Sequence, residues 1–432
     1  MTYKRLIFST LLLSAATFLQ AQVRVNDDEV IVDNGLGEEE EIEFPEAMSA
    51  DVDSLLNLYH AKTYLDNDMD CRMKDVNPVF APEVYVDRLK RLPTVMEMAY
   101  NDVVQTFIDR YTGRLRHSVS YMLGAANFYM PIFEEALETY QVPLELKYLP
   151  VIESALKPTA VSRVGATGLW QFMLTTGRDY GLEINSLVDE RRDVASASYA
   201  AAHYLSDLYK IFGDWTLVIA AYNCGPANIN KAIHRAGGET DYWKIYPYLP
   251  KETRGYVPAF IAANYVMNYY CEHNICPMRC ELPVKTDTVM VTQDVNLNQI
   301  AAVLDLDIEM LRALNPAYRR DIVPGANKPA PIRMHPNDLV RFIDLQDSIY
   351  NYNTATMLPK RGVVPVDVLS APTRQTRARS ARTARGGQSV TVKQGDTLGA
   401  LAKRHGTTVA KIRKLNGIKG NNIRAGKKIR VR

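Results

Sequence analysis

The stretch from Val291 to Gly325 returns, without a gap, from Val392 to Gly426. Leu297 matches Leu398, Ile300 matches Leu401, Ile308 matches Val409, and Leu311 matches Ile412. Leu314-Asn315 matches Leu415-Asn416. An internal repeat of this kind constrains the fold more than any composition does, because it demands two small homologous modules with equivalent cores. Each copy reads strand–helix–helix–strand, with closing strands near Ile332 and Ile429-Val431. The upstream copy is degenerate: Asp294-Val295-Asn296 stands in place of Gly395-Asp396-Thr397, and an insertion precedes Ile332. It is expected to act as a spacer. The remaining chain must then fold on its own, and 432 residues, 47% of them hydrophobic, are enough for two or three domains.

That remaining part is helical from about Asp51 to Tyr270. "YNDVVQTFIDRYT" and "SYAAAHYLSDLYKIF" repeat apolar residues every three or four positions, and Pro131, Pro143, Pro158 and Gly213-Asp214 mark helix starts or breaks. The domains expected are residues 1–21, a signal peptide; 22–50, an acidic mobile linker; and 51–280, an α-helical catalytic-sized domain. Then follow 286–335, the degenerate module; 336–387, a connecting segment with the Arg-rich tether "PTRQTRARSARTARGGQ"; and 388–432, the terminal module.

Charge and cysteines narrow the compartment. The net charge of +2 hides an acidic run, Glu38 to Glu41 with Glu43 and Glu46, and a basic end from Arg374 to Arg432. Lys4-Arg5, the apolar run Leu6–Leu19 and Gln20-Ala21-Gln22 have the layout of a secretory signal. Export argues against nucleic acid as the partner of the basic tail. Anionic wall polymers or lipid headgroups suit it, and a solvated tether is the alternative. No cysteine near the cut supports a lipid anchor. Of the five cysteines, Cys271, Cys276 and Cys280 cluster around His273 without the paired spacing of a zinc site, so a disulfide within the cluster is expected and no metal.

Glu153 carries the chemistry. It sits among Val151, Ile152, Ala155 and Leu156, just before a break at Lys157-Pro158. A carboxyl group among apolar side chains is costly to ionise, so it can hold a proton near neutrality and protonate a glycosidic oxygen. A solvated helix face is the competing reading, and the neighbours argue against it. Ser154 follows; Gly165 and Gly168 make a small-residue turn; Trp170 offers a stacking surface and Gln171 a donor and acceptor. "VIAAYNCGPANI" puts Tyr222 and Asn223 at a helix end, and Tyr256 precedes a helix expected to start at Pro258. Aromatics, amides and one shielded acid suit a neutral polysaccharide.

"ESALKPTAVSRVGATGLWQFM" and "AYNCG" resemble the ordered motifs of the soluble-lytic-transglycosylase-like family, over roughly residues 80 to 270. The repeat resembles LysM modules, with Gly395, Asp396, Thr397, Leu398 and Asn416 as the matching glycan-binding core. Asp396 and Thr397 also fit a helix cap. The resemblance implies a multidomain protein: a mainly α, goose-type-lysozyme-like catalytic domain followed by two small α+β (βααβ) modules. It implies Glu153 as the sole acid and base, and Ser154, Gln171, Tyr222, Asn223 and Tyr256 as substrate-binding residues. The implied partner is the peptidoglycan glycan strand, cut between N-acetylmuramic acid and N-acetylglucosamine with closure to a 1,6-anhydro ring, in the periplasm and without a cofactor. Trp170 and Cys224 depart from the usual Met and Ala. A lysozyme-like hydrolase and a silent wall-binding scaffold are the alternatives.

Overall fold

The structure, a computed structural model, describes residues 29–33, 39–43, 45–49, 76–358 apart from 281 and 284, and 389–431 apart from 395, 419, 421–422 and 424–425. The signal peptide and the Arg-rich tether lie outside the described residues. The chain divides into two units, residues 1–366 and 367–432.

In the first unit the acidic segment contains regular structure where a mobile linker was expected. Strands β1 (Glu29–Asp33) and β2 (Glu39–Glu43) form an antiparallel hairpin, with Ile31 opposite Glu41. A 3-10 turn follows at Glu46–Ser49, and its Met48 is 1% exposed within the helical core.

Ten helices make the catalytic-sized domain among the described residues: α1 (Pro82–Lys90), α2 (Asp102–Thr112), α3 (Arg116–Thr139), α4 (Leu149–Ser154) and α5 (Leu174–Asp179). Then come α6 (Val194–Phe212), α7 (Trp215–Cys224), α8 (Pro226–Arg235), α9 (Tyr242–Ile245) and α10 (Lys251–Tyr269). Their boundaries follow from side chains. Asn101, Asp193 and Asp214 each accept a hydrogen bond from a first-turn N–H, satisfying donors that no helix can satisfy itself. Gly213, at φ 65°, ends α6 and hands the chain to the Asp214 cap of α7.

The central helix is α10, buried from Thr253 to Met267. It begins at Lys251, so Pro258 lies inside it rather than starting it, as Pro131 lies inside α3. A proline frees the carbonyl four residues earlier. For Pro258 that is Arg254 O, and the buried Tyr242 hydroxyl donates to it at 2.9 Å. A helix that must carry site residues through the core thus keeps its interior carbonyl satisfied.

The first LysM-like module belongs to the same unit. Strand β3 (Asp287–Val291) is followed by β4 (Asp294–Asn296), α11 (Leu297–Leu304), α12 (Ile308–Leu314), β5 (Ile322–Pro324) and β6 (Ala330–Met334). β3 pairs antiparallel with β6, and β4 with β5. The boundary expected at residue 335 falls short. Helices α13 (Pro336–Asp344) and α14 (Gln346–Asn351) place Phe342, Ile349 and Tyr350 in the module's core, so those residues complete it rather than connect it.

The second unit is the terminal module: β7 (Ser389–Thr391), α15 (Leu398–Arg404), α16 (Val409–Asn416) and β8 (Lys428–Arg430), with β7 and β8 antiparallel. The repeat is reproduced at the level of single bonds. Asn416 Nδ2 donates to Ile412 O and Arg430 O while its Oδ1 accepts from Arg430 N. Asn315 does the same with Leu311 and Arg333.

The expected disulfide within the cysteine cluster does not form. Cys276 is disulfide-bonded, whereas Cys271 and Cys280 are thiols. His273 between them is buried, with Nε2 bonded to Tyr265 and Nδ1 to Asn77, both at 2.9 Å. Burial first, then the charges of Arg88 and Arg116, lower its pKa to about 4.

Candidate active site

Helix α4 spans six residues, and its end explains the odd carboxylate. Ala155 and Leu156 follow with φ of 49° and 59°, a left-handed pair that stops the helix. Without glycine each costs about 1–2 kcal/mol, an expense met most often where a site dictates the backbone. Val151, Ile152, Ala155 and Leu156 are no more than 2% exposed and fill the core. Glu153, in the last turn, faces a cleft instead.

The cleft measures about 330 Å³ and is lined by Glu153, Gln171, Tyr222, Asn223 and Tyr256. Four elements supply them: α4, the turn before α5, the end of α7 and the middle of α10. Five of the six expected catalytic-domain site residues therefore converge. The sixth, Ser154, does not line the cleft. It is 6% exposed, and its hydroxyl lies 3.0 Å from Pro150 O and 2.9 Å from Leu169 O, where it ties α4 to the following turn. Trp170 also departs from expectation. It is fully buried against Phe133, and its Nε1–H donates to Ser198 Oγ at 2.9 Å, so it is core and offers no stacking surface.

The turn that carries Gln171 is tightly held. Thr167 and Phe172 exchange backbone bonds of 3.1 Å, and Gln171 sits at φ 49° with Nε2 donating to Gly168 O. Gly168, at φ 89°, lies where a Cβ would meet Arg191 O at 1.7 Å, so only glycine fits. From α7, Tyr222 Oη donates to Trp170 O at 2.7 Å, and Asn223 Oδ1 accepts from Thr253 Oγ1 at 2.8 Å.

Burial pushes the Glu153 carboxyl up to about 7; the Tyr256 hydroxyl, which donates to Oε1, pulls it down, and the charge of Glu252 adds to the rise. Among the described residues Oε2 has no hydrogen-bond partner, so it is the oxygen available to a ligand's proton. Burial, then the Glu153 charge, also push the Tyr256 phenol well above its usual range, which keeps it a donor.

Sequence reasoning missed the cleft's second carboxylate, Glu252, and its lining by Tyr204, Met173, Thr176 and Pro45. Glu252 precedes Tyr256 by four residues on one helix, a same-face spacing that could have found it. Pro45 comes from the segment expected to be mobile and gave no signal.

In the terminal module Gly395 lies outside the described residues. Asp396 accepts from Lys393 N at 2.9 Å and from Arg404, and Thr397 caps α15 through Ala400 N. Leu398 is core, and Asn416 pins α16 to β8.

Three family models match this chain: "Transglycosylase SLT domain" over residues 130–245, "Lytic transglycosylase MltD, LysM-like domain" over 285–351, and "LysM domain" over 390–432. A relative from Escherichia coli (strain K12), membrane-bound lytic murein transglycosylase D, is 28% identical over 299 residues, covering 67% of this chain. The chain spans 60% of that relative's length. The soluble lytic murein transglycosylase of the same strain is 30% identical over 124 residues, covering 27% of this chain and 19% of the relative. The crystal structure of the 70 kDa soluble lytic transglycosylase of Escherichia coli aligns at 24% identity and a TM-score of 0.30, over 35% of this chain and 26% of that one.

Proposed function

We propose that this chain, which carries an SLT transglycosylase domain, an MltD-type LysM-like domain and a LysM domain, is an exported peptidoglycan lytic transglycosylase of the cell envelope. The observation that supports it most is Glu153, held at about 7 in a cleft with Tyr256 on one oxygen. Near neutral pH such an acid is divided between its two protonation states, as a group that must both give and take a proton requires.

In this mechanism Glu153 donates its proton to the oxygen joining N-acetylmuramic acid C1 to N-acetylglucosamine. The C1–O bond breaks, and the N-acetylglucosamine side leaves as an alcohol. The Glu153 carboxylate then takes the proton of the muramyl 6-hydroxyl, whose oxygen bonds to C1 and closes the 1,6-anhydro ring. Water is not consumed. Gln171, Asn223 and Tyr222 border the path of the sugar, and Ser154 acts by holding Leu169 rather than by touching substrate. The terminal LysM module keeps the enzyme on the strand through the surface that Asp396 and Thr397 shape.

Glu252 favours a second reading, because a second carboxylate at the cleft is what a hydrolase needs to activate water. Mass analysis of sacculi digested by the protein separates the two. Anhydro ends, one water lighter than reducing ends, support the transglycosylase; reducing ends alone make it a hydrolase; no release of fragments removes both.

A further inference from the structure

The first LysM-like module meets the helical domain at a buried ionic site. Asp189 is 0% exposed and is gripped by two guanidinium groups. Arg191, its near neighbour, binds it with both arms at 2.9 Å. Arg319, from the module, reaches Oδ2. The backbones join beside it: Asp189 N donates to Ala317 O at 2.9 Å and Arg319 N to Leu187 O at 2.7 Å, a β-bridge centred on Val188 and Tyr318. Leu314 of α12 is packed into the helical domain's own core, so the contact is an extension of that core.

Arg191 points the other way as well. Its Nη1 donates to Gly165 O and Phe172 O, both at 3.1 Å, and its own carbonyl is the atom against which Gly168 is packed. These are the two ends and the middle of the turn that presents Gln171 to the cleft. On the module side the geometry is over-determined. Arg320 and Asp321 adopt φ of 59° and 60°, conformations unfavourable for residues with a Cβ. Arg312 holds Asp321 with two bonds of 2.9 and 2.6 Å. Such expense beside a mere spacer has no structural return. We propose that the first LysM-like module is a positioning element of the active site: Arg319 completes the Asp189 site, through which Arg191 fixes the turn that carries Gln171. Arg191 already engages both Asp189 oxygens, and Arg319 adds a second donor on Oδ2 from the module side. Without it the Asp189–Arg191 fork loses its side-chain anchor on the module and the turn is freer to shift. Displacements of about 1 Å near reacting groups can cost as much as a hundredfold in rate.

The kinetic part of the test rests on the transglycosylase reading; the exchange part does not. Arg319→Met keeps the side chain's stem and leaves Asp189 paired with Arg191, so the fold should survive. In the full chain, kcat on soluble glycan strands should fall about tenfold with KM within about twofold, and Arg319→Lys should recover part of it. Amide hydrogen exchange should speed up at residues 165–172 and stay unchanged in α10. An unchanged kcat, or a raised KM with kcat intact, overturns the proposal and makes the module a glycan binder or a spacer. Should the wild type release nothing, exchange alone decides: unaltered protection of 165–172 in Arg319→Met overturns the coupling, and selective loss upholds it. Should Arg319→Met not fold, Arg319→Lys is measured instead under the same two criteria.

Discussion

The hydroxyl of Tyr256, in the middle of α10, donates to Oε1 of Glu153 at the end of α4. This contact opposes burial: it steadies the carboxylate that burial disfavours. Tyr256→Phe removes it and leaves Oε1 without its donor. The falling limb of the pH–activity profile should move up by roughly half to one unit, with maximal activity reduced about tenfold. A profile of rate against pH from 5 to 9 checks both.

Glu153 also bears on stability. Its ordinary value of 4.5 is raised to about 7 by folding, so the folded protein binds this proton more tightly than the unfolded chain. The stabilisation is fully present below 4.5 and is lost as pH rises through about 7. Glu153→Gln removes the titration. The variant should therefore gain about 1–3 kcal/mol over wild type at pH 8 and differ little at pH 4. Thermal melts of both proteins at the two pH values measure the difference.

The active-site turn contains two glycines with different consequences. At Gly168 a Cβ would strike Arg191 O at 1.7 Å, whereas at Gly165 nothing lies within 4 Å. Gly168→Ala should cost about 3–5 kcal/mol and most of the activity. Gly165→Ala meets only the penalty of its φ of 90°, about 1 kcal/mol, with activity largely kept. Melting temperature and lysis rate, measured side by side, distinguish them.

Trp170 is predicted to matter for packing rather than for sugar. Trp170→Phe leaves a gap beside Phe133 and removes the donor to Ser198 Oγ, whose own proton stays on Val194 O, costing about 1–3 kcal/mol. Well below the melting transition, KM for glycan strands should stay within about twofold of wild type. A large rise in KM at full stability would restore the stacking role.

Periodicity and repeat were legible in the sequence because they reflect local rules. The α-rich domain, the two modules and the equivalence of Asn315 with Asn416 follow from apolar spacing and from residues that bond their own neighbourhood. So did the grouping of Glu153, Gln171, Tyr222, Asn223 and Tyr256, through motifs that each stay within a short stretch. What escaped depends on contacts distant in the chain. Ser154 beside Glu153 and Trp170 beside Gln171 look like sugar contacts, yet Ser154 bonds Pro150 O and Leu169 O and Trp170 bonds Ser198. Pro258 looked like a helix start because the compensating Tyr242 lies elsewhere in sequence. The acidic hairpin lacks strong patterning; the helix Pro336–Asp344 is amphipathic, and its apolar spacing could have placed it in the module. The Asp189–Arg319 bond joins segments that nothing local relates.

The most direct test of the account is the lytic rate of Glu153→Gln on purified sacculi, with circular dichroism and sacculus binding measured on the same preparation. Loss of a proton donor predicts a fall in rate of at least about a thousandfold with fold and binding intact. Lysis within a few fold of wild type, by a folded variant, would contradict it.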